Sequence, residues 1–268
     1  MWNTPVDSDP PFGLDRTNSP CSNGNDADDA RRGLPANGGC MKFDREAADP
    51  SAVAAGHSFY SRRSLRIYDF LILGWFSRTA WRCPAGRIVR LHDRHVTGNH
   101  LDIGVGTGYF LDRCRFPTPD PRIVLLDINT ACLDAASNRL ARYRPERIHA
   151  SVLERFPDAV AAVDSVSLTH LLHCLPGEMV DKAIVLDHVN TVLNPRGVVF
   201  GATLLQGGVR RNWYARSVMK FNNWRGIFSN TADTVDALTT ALNDRFENVQ
   251  VEIIGCVATF AATKRTGG

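Results

Sequence analysis

From His100 to Lys264 the chain alternates between two periods. Apolar runs of strand length are separated by stretches with helical spacing: HLDIGV then TGYFLDRC, RIVLLDI then TACLDAASNRLARY, and the short run RIHAS. Val163–Leu168 then MVDKAIVLDHVNTVL follow, and then GVVFGATLL. Parallel strands need a crossover long enough to hold a helix, and helices on both faces let each strand be apolar on both sides. The alternation therefore predicts a parallel sheet in an α/β fold. It breaks once. NVQVEIIGC and VATFAATK are separated only by a tight turn near Gly255, so these two strands must pair antiparallel. Five parallel-type strands, a helix over Val235–Phe246 and a C-terminal hairpin give a seven-stranded sheet.

The segments before this pattern differ from it. Asp, Pro, Gly, Asn and Ser supply 24 of the first 40 residues, too little apolar surface to offset ordering entropy, so residues 1–46 are expected to form a disordered tail. Residues 47–98 read as a helical cap. YSRRSLRIYDFLILGWFSRTAW has helical spacing with a break at Gly74, and CPAGRIVRLHDRHVTG is a short helix between Pro84 and Gly98.

A net charge of +3 with interspersed signs argues against a nucleic-acid partner. No apolar run approaches the roughly 20 residues of a membrane span. The start has no basic-then-apolar leader, and the seven cysteines are scattered without CxxC spacing. Reduced thiols and a cytoplasmic location are the expectation. Monomer and homodimer both stay open.

The chemistry centres on Gly104, Gly106 and Gly108, which follow a strand and open a helix. Glycine lets the main chain turn tightly and lets a ligand approach without a Cβ in the way. A nucleoside-triphosphate loop would end in Gly-Lys-Ser/Thr, but Tyr109 and Phe110 follow here. A dinucleotide fold wants GxGxxG, and the third glycine falls one place early. Asp102 would repel a pyrophosphate and suits a cationic amine. Asp127 ends the second strand, where a carboxylate can take both hydroxyls of a ribose. S-adenosylmethionine meets all three demands.

DIGVGTG and LLDI resemble the first motif and the acidic second-strand end of the class I S-adenosylmethionine-dependent methyltransferases, a likeness spanning residues 60–263. The antiparallel C-terminal hairpin is that family's variation on the Rossmann-like sheet. The resemblance implies that Gly104–Gly108 hold the methionine part, with Asp102 near its amino group and Asp127 on the ribose. It places Ile128 against the adenine, Ser151 and Val152 at the adenine edge, His170 near the cofactor, and Tyr68 over it. Many members have Asp where Ser151 stands. YDF, WRCP, LLHCLPG and NxxGIFSN are further similar to small-molecule methyltransferases of bacterial and fungal secondary metabolism.

Methyl transfer to a hydroxyl can use a general base, whereas a carboxylate acceptor needs only alignment. His170 and His173, in LTHLLHCLPG, are the catalytic candidates. No convincing ligand set accompanies them, so no metal is expected. His92, His95 and His100 in HDRHVTGNH read as a solvated connection. The segment at about 208–230 reads as a substrate-covering insertion, in which Arg211, Tyr214, Asn223, Trp224 and Phe228, with Tyr60, would meet a small-molecule acceptor. The sequence thus predicts an O-methyltransferase acting on a hydroxyl or carboxylate. A small-molecule N-methyltransferase and a non-catalytic cofactor-binding protein are the alternatives. An RNA methyltransferase would want a basic patch or an added RNA-binding domain.

Overall fold

The computed structural model describes residues 75–266. Tyr60, Tyr68 and the whole of the expected tail lie outside the described residues.

A short helical turn at Ser77–Thr79 leads to helix α1 (Ala85–His95). Strand β1 (Asn99–Ile103), helix α2 (Tyr109–Arg113), strand β2 (Arg122–Asp127), helix α3 (Thr130–Arg139) and strand β3 (Glu146–His149) follow. Next come strand β4 (Val163–Thr169), helices α4 (Met179–Lys182) and α5 (Ile184–Val192), and strand β5 (Leu193–Leu204). Helices α6 (Trp213–Trp224) and α7 (Val235–Asn243) precede strands β6 (Phe246–Ile254) and β7 (Val257–Lys264). The seven strands form one sheet in the order β3-β2-β1-β4-β5-β7-β6. The first five pair parallel, and β7 inserts antiparallel between β5 and β6.

Local signals explain the boundaries. Pro84 precedes α1, where its fixed φ and missing N–H do no harm. Side chains of Asn129, Asn212 and Thr234 cap α3, α6 and α7 by accepting from the backbone N–H groups of Ala131, Ala215 and Ala237. The single helix expected over MVDKAIVLDHVNTVL breaks at Ala183. The break follows Lys182, whose side chain is drawn into the interior by Asp233.

Strand side chains alternate between two apolar layers. Leu101, Ile103, Val124, Leu126, Val166 and Leu168 face α5 and α7 through Val185, Val189, Leu238 and Leu242. Ile123, Leu125 and Phe200 face α1, α2 and α3 through Leu91, Leu111, Leu133 and Ala136. A third cluster gathers Ala80, Trp81, Ile88, Leu204, Ala215, Met219 and Val257 beneath α6.

One sequence expectation is overturned in this second layer. HDRHVTGNH is not a solvated connection, because His92 and His100 are fully buried. His92 lies on the inner face of α1, in register with Ile88 and Leu91, and β1 turns His100 onto the same sheet face as Asp102.

Candidate active site

The carboxyl ends of β1, β2 and β4 meet at one edge of the sheet, where open α/β folds build their ligand sites. A cavity there is lined by Asp102, the Gly104–Gly108 loop, Phe110, Asp127, Ile128, Ser151, Val152, Thr169 and His170, among others. Residues far apart in sequence are therefore brought together, and they include every described residue the sequence assigned to the cofactor.

The three loop glycines all have positive φ, +73°, +52° and +69°. Their roles differ. A Cβ on Gly104 would come within 2.9 Å of the Leu171 side chain, and one on Gly108 within 3.1 Å of the Ala136 backbone. A Cβ on Gly106 would meet nothing within 4 Å among the described residues. Gly104 and Gly108 thus permit internal packing, and Gly106 turns open backbone toward the cavity. The third glycine serves the contact with α3, which accounts for the GxGxG spacing.

Asp102 is buried at the floor of the cavity. Burial pushes its carboxyl up to about 7, a hydrogen bond from Ser167 opposes this, and the Asp127 charge adds to it. Ser167 donates its hydroxyl to Asp102 Oδ1. The Ser167 oxygen then accepts from His100 Nε2 at 3.0 Å, and His100 Nδ1 accepts from Ser165 Oγ at 2.8 Å. This buried chain fixes the carboxylate from behind. Burial holds His100 neutral, pulling it down to about 3.

At the β2 end of the cavity, Asp127 Oδ1 accepts from Asn129 N at 2.8 Å, which orients the carboxylate at the strand end. His149 Nε2 donates to the Ile128 carbonyl at 2.8 Å. Ser151 Oγ accepts from Leu153 N at 3.3 Å.

The two sequence-predicted catalytic histidines part company. His170 is in the cavity wall, with φ +60° and its backbone N–H bonded to Ala202 O at 2.7 Å. A left-handed non-glycine residue is strained and is kept only where surrounding contacts fix it. Burial keeps its imidazole neutral, pulling it down to about 4. His173 is not in the cavity wall among the described residues. Its Nδ1 accepts from Leu204 N at 3.4 Å and lies 3.3 Å from Thr203 Oγ1, while its ring meets Phe228 at 4.7 Å.

None of the five described residues assigned to the acceptor lines this cavity. Asn223 is engaged in the turn after α6, donating to Asn230 Oδ1 and accepting from Asn230 N. Arg211 donates to Gln206 Oε1, and Tyr214 stacks on Phe76 at 5.9 Å. Trp224, at the exposed end of α6, is 76% accessible. Phe228 packs between His173 and Trp81. A row of rings, Phe110, His170, His173, Phe228 and Trp81, runs from the cavity to the region beneath α6, with neighbouring centroids 4.7 to 6.3 Å apart.

Sequence reasoning missed Phe110, Thr169 and His92 as wall residues. For His92 a signal was available, since the spacing of Ile88, Leu91 and His92 puts the histidine on the apolar face of its helix.

The donor chemistry of the wall fits S-adenosylmethionine: an open backbone at Gly106, a carboxylate at a strand end, apolar faces at Ile128 and Val152, and a buried acid at Asp102. Comparison with known proteins agrees. A family model described as a methyltransferase domain matches residues 101–199. Demethylluteothin O-methyltransferase of Streptomyces thioluteus is 40% identical over 210 residues, covering 78% of this chain and 91% of that protein. The physcion biosynthesis cluster O-methyltransferase of Aspergillus chevalieri is 39% identical over 211 residues, covering 78% and 95%. Among solved structures, the DhpI–SAH complex superposes with a TM-score of 0.58 at 17% identity, covering 81% of this chain and 98% of that one, a likeness of fold. The chain belongs to the class I S-adenosylmethionine-dependent methyltransferases, and it is an enzyme of that family.

Proposed function

We propose that this enzyme binds S-adenosylmethionine and methylates an oxygen, hydroxyl or carboxylate, of a small secondary-metabolite-like acceptor. One observation carries the reading: a single cavity wall joins the glycine loop and Asp127 to Phe110 and His170, where the row of rings leads toward α6. The names of the two relatives, both O-methyltransferases, support oxygen as the receiving atom.

Asp127 takes the ribose hydroxyls, Ile128 and Val152 sandwich the adenine, and Ser151 meets its edge. Gly106 allows close approach of the methionine part, and Asp102 faces its ammonium. The bound cofactor supplies an electrophilic methyl group on a sulfonium. The chain's task is then mainly alignment, since in-line displacement is governed by distance and orientation. His170, held neutral, offers a hydrogen bond to an acceptor hydroxyl without placing a second positive charge beside the sulfonium. His173 positions the segment that covers the acceptor, because its carbonyl accepts from Ser229 N at 2.8 Å. The aromatic row suits a planar acceptor, against which rings stack favourably. Buried free thiols at Cys83, Cys114, Cys132 and Cys256 support a cytoplasmic setting.

The test is incubation with carbon-13 methyl-labelled cofactor and a panel of hydroxylated aromatic and carboxylic acids. The chemical shift of the transferred carbon tells an oxygen-bound methyl from a nitrogen-bound one. An O-methyl product supports the proposal. Transfer confined to amines in a matched panel would overturn it.

A further inference from the structure

Two buried side-chain atoms in the cavity wall, His92 Nε2 and Thr169 Oγ1, have no hydrogen-bond partner among the described residues. Both residues are more than nine-tenths buried. A buried polar atom left unpaired is costly, so two of them against one cavity ask for a ligand group.

Strand register shows that they share a place. Asp102 pairs with Ser167, and Thr169 lies two residues further along β4, hence on the same sheet face. Phe200 pairs with Ser167 from the other side. The His92 ring meets the Phe200 ring edge-on at 5.1 Å and stacks on Phe110 at 5.5 Å. His92 thus comes down from α1 onto the face that carries Asp102 and Thr169. Ala202, the neighbour of Thr169 on β5, supplies only a methyl group there.

The chemistry at this place is one-sided. His92 Nδ1 lies 2.9 Å from the Ile88 carbonyl, which can only accept, so Nδ1 carries the ring proton. Burial keeps the ring neutral, pulling it down to about 4. Nε2 therefore presents a lone pair. Thr169 Oγ1 can accept a hydrogen bond as well, and Asp102, in the ionised form that a cation favours, accepts only. A ligand carboxylate here would face a lone pair and a negative charge. An ammonium group, with three N–H donors, matches all three.

We propose that His92 Nε2 and Thr169 Oγ1, together with Asp102, hold the α-ammonium group of the cofactor's amino-acid end. The inference rests on the cofactor reading above and assigns to that end two residues from outside the glycine loop.

Titration calorimetry with S-adenosylhomocysteine and with its analogue lacking the α-amino group tests it. Wild-type protein should prefer S-adenosylhomocysteine. His92→Phe keeps the ring packing against Phe110 and Phe200, and should reduce that preference about tenfold while leaving affinity for the deaminated analogue nearly unchanged. Thr169→Val, of similar volume, should narrow the preference in the same direction. Equal weakening of both ligands in both variants would mark the residues as structural and overturn the inference. Intact binding with unchanged preference would overturn it while sparing the cofactor reading. Failure of the wild-type protein to bind S-adenosylhomocysteine would remove both.

Discussion

Asp102 is a carboxylate that the fold buries before any cation reaches it. Its place on β1 is fixed by pairing with Ser167, and its environment raises it from the usual carboxylate range to about 7. The folded protein without a bound cation therefore keeps a proton on Asp102 where the unfolded chain has already lost it. This group's contribution to stability falls as pH rises from about 4 to about 7, and is constant above that. Asp102→Asn removes the dependence. The melting-temperature advantage of the variant should widen across that window and then level off; an advantage that is constant across the window would mean that Asp102 ionises normally. Cofactor binding carries the opposite sign. An ammonium group favours ionised Asp102, so affinity in the wild-type protein should strengthen as pH rises toward 7, with a proton released on binding.

At the scale of elements, the segment after α6 is tied to the core by a buried ion pair. Lys182 Nζ at the end of α4 donates to Asp233 Oδ1 and Oδ2 at 2.9 and 2.7 Å and to the Ser229 carbonyl. Both side chains are fully buried. Burial pulls the ammonium down and pushes the carboxyl up, and each is opposed by the partner's hydrogen bonds and charge. Removing one partner leaves the other charge stranded, so Lys182→Met should cost about 3–5 kcal/mol in denaturant unfolding. Adding Asp233→Leu should recover most of that loss, since a matched apolar pair needs no counter-ion. A single variant as stable as wild type would show that the pair does not secure this segment. The acceptor residues were least legible at this same scale. Helical spacing could show that Arg211, Tyr214, Asn223 and Trp224 share one insertion, but it could not show which of them turn outward. Asn223 is taken up by Asn230 seven residues later, and Trp224 faces solvent.

For the whole molecule, the sheet was legible because its signals are local. Five apolar runs need crossovers, and the short turn at Gly255 forbids one. The strand order, with β7 between β5 and β6, matches the C-terminal hairpin read from that turn. The candidate cofactor edge was legible as a cluster because Gly104, Gly106, Gly108 and Asp127 lie at strand ends, where sequence position fixes spatial position. Thr169 and the Ser165–His100–Ser167 chain were not, because each depends on strand register; for His92 helical spacing marked the apolar face of α1 but not the cavity it meets. His100 and Asp102, two apart on one strand, did share a face in plain view, and their partners lie 65 residues away on β4. The proposed function stands or falls with S-adenosylmethionine binding at this edge. Calorimetry with S-adenosylmethionine and S-adenosylhomocysteine, beside Asp127→Ala, tests it most directly. Saturable one-to-one binding of both ligands is expected, weakened at least about thirtyfold in the variant through loss of two hydrogen bonds to a charged acceptor. Absence of binding to the wild-type protein, or equal affinity in a folded variant, would contradict it.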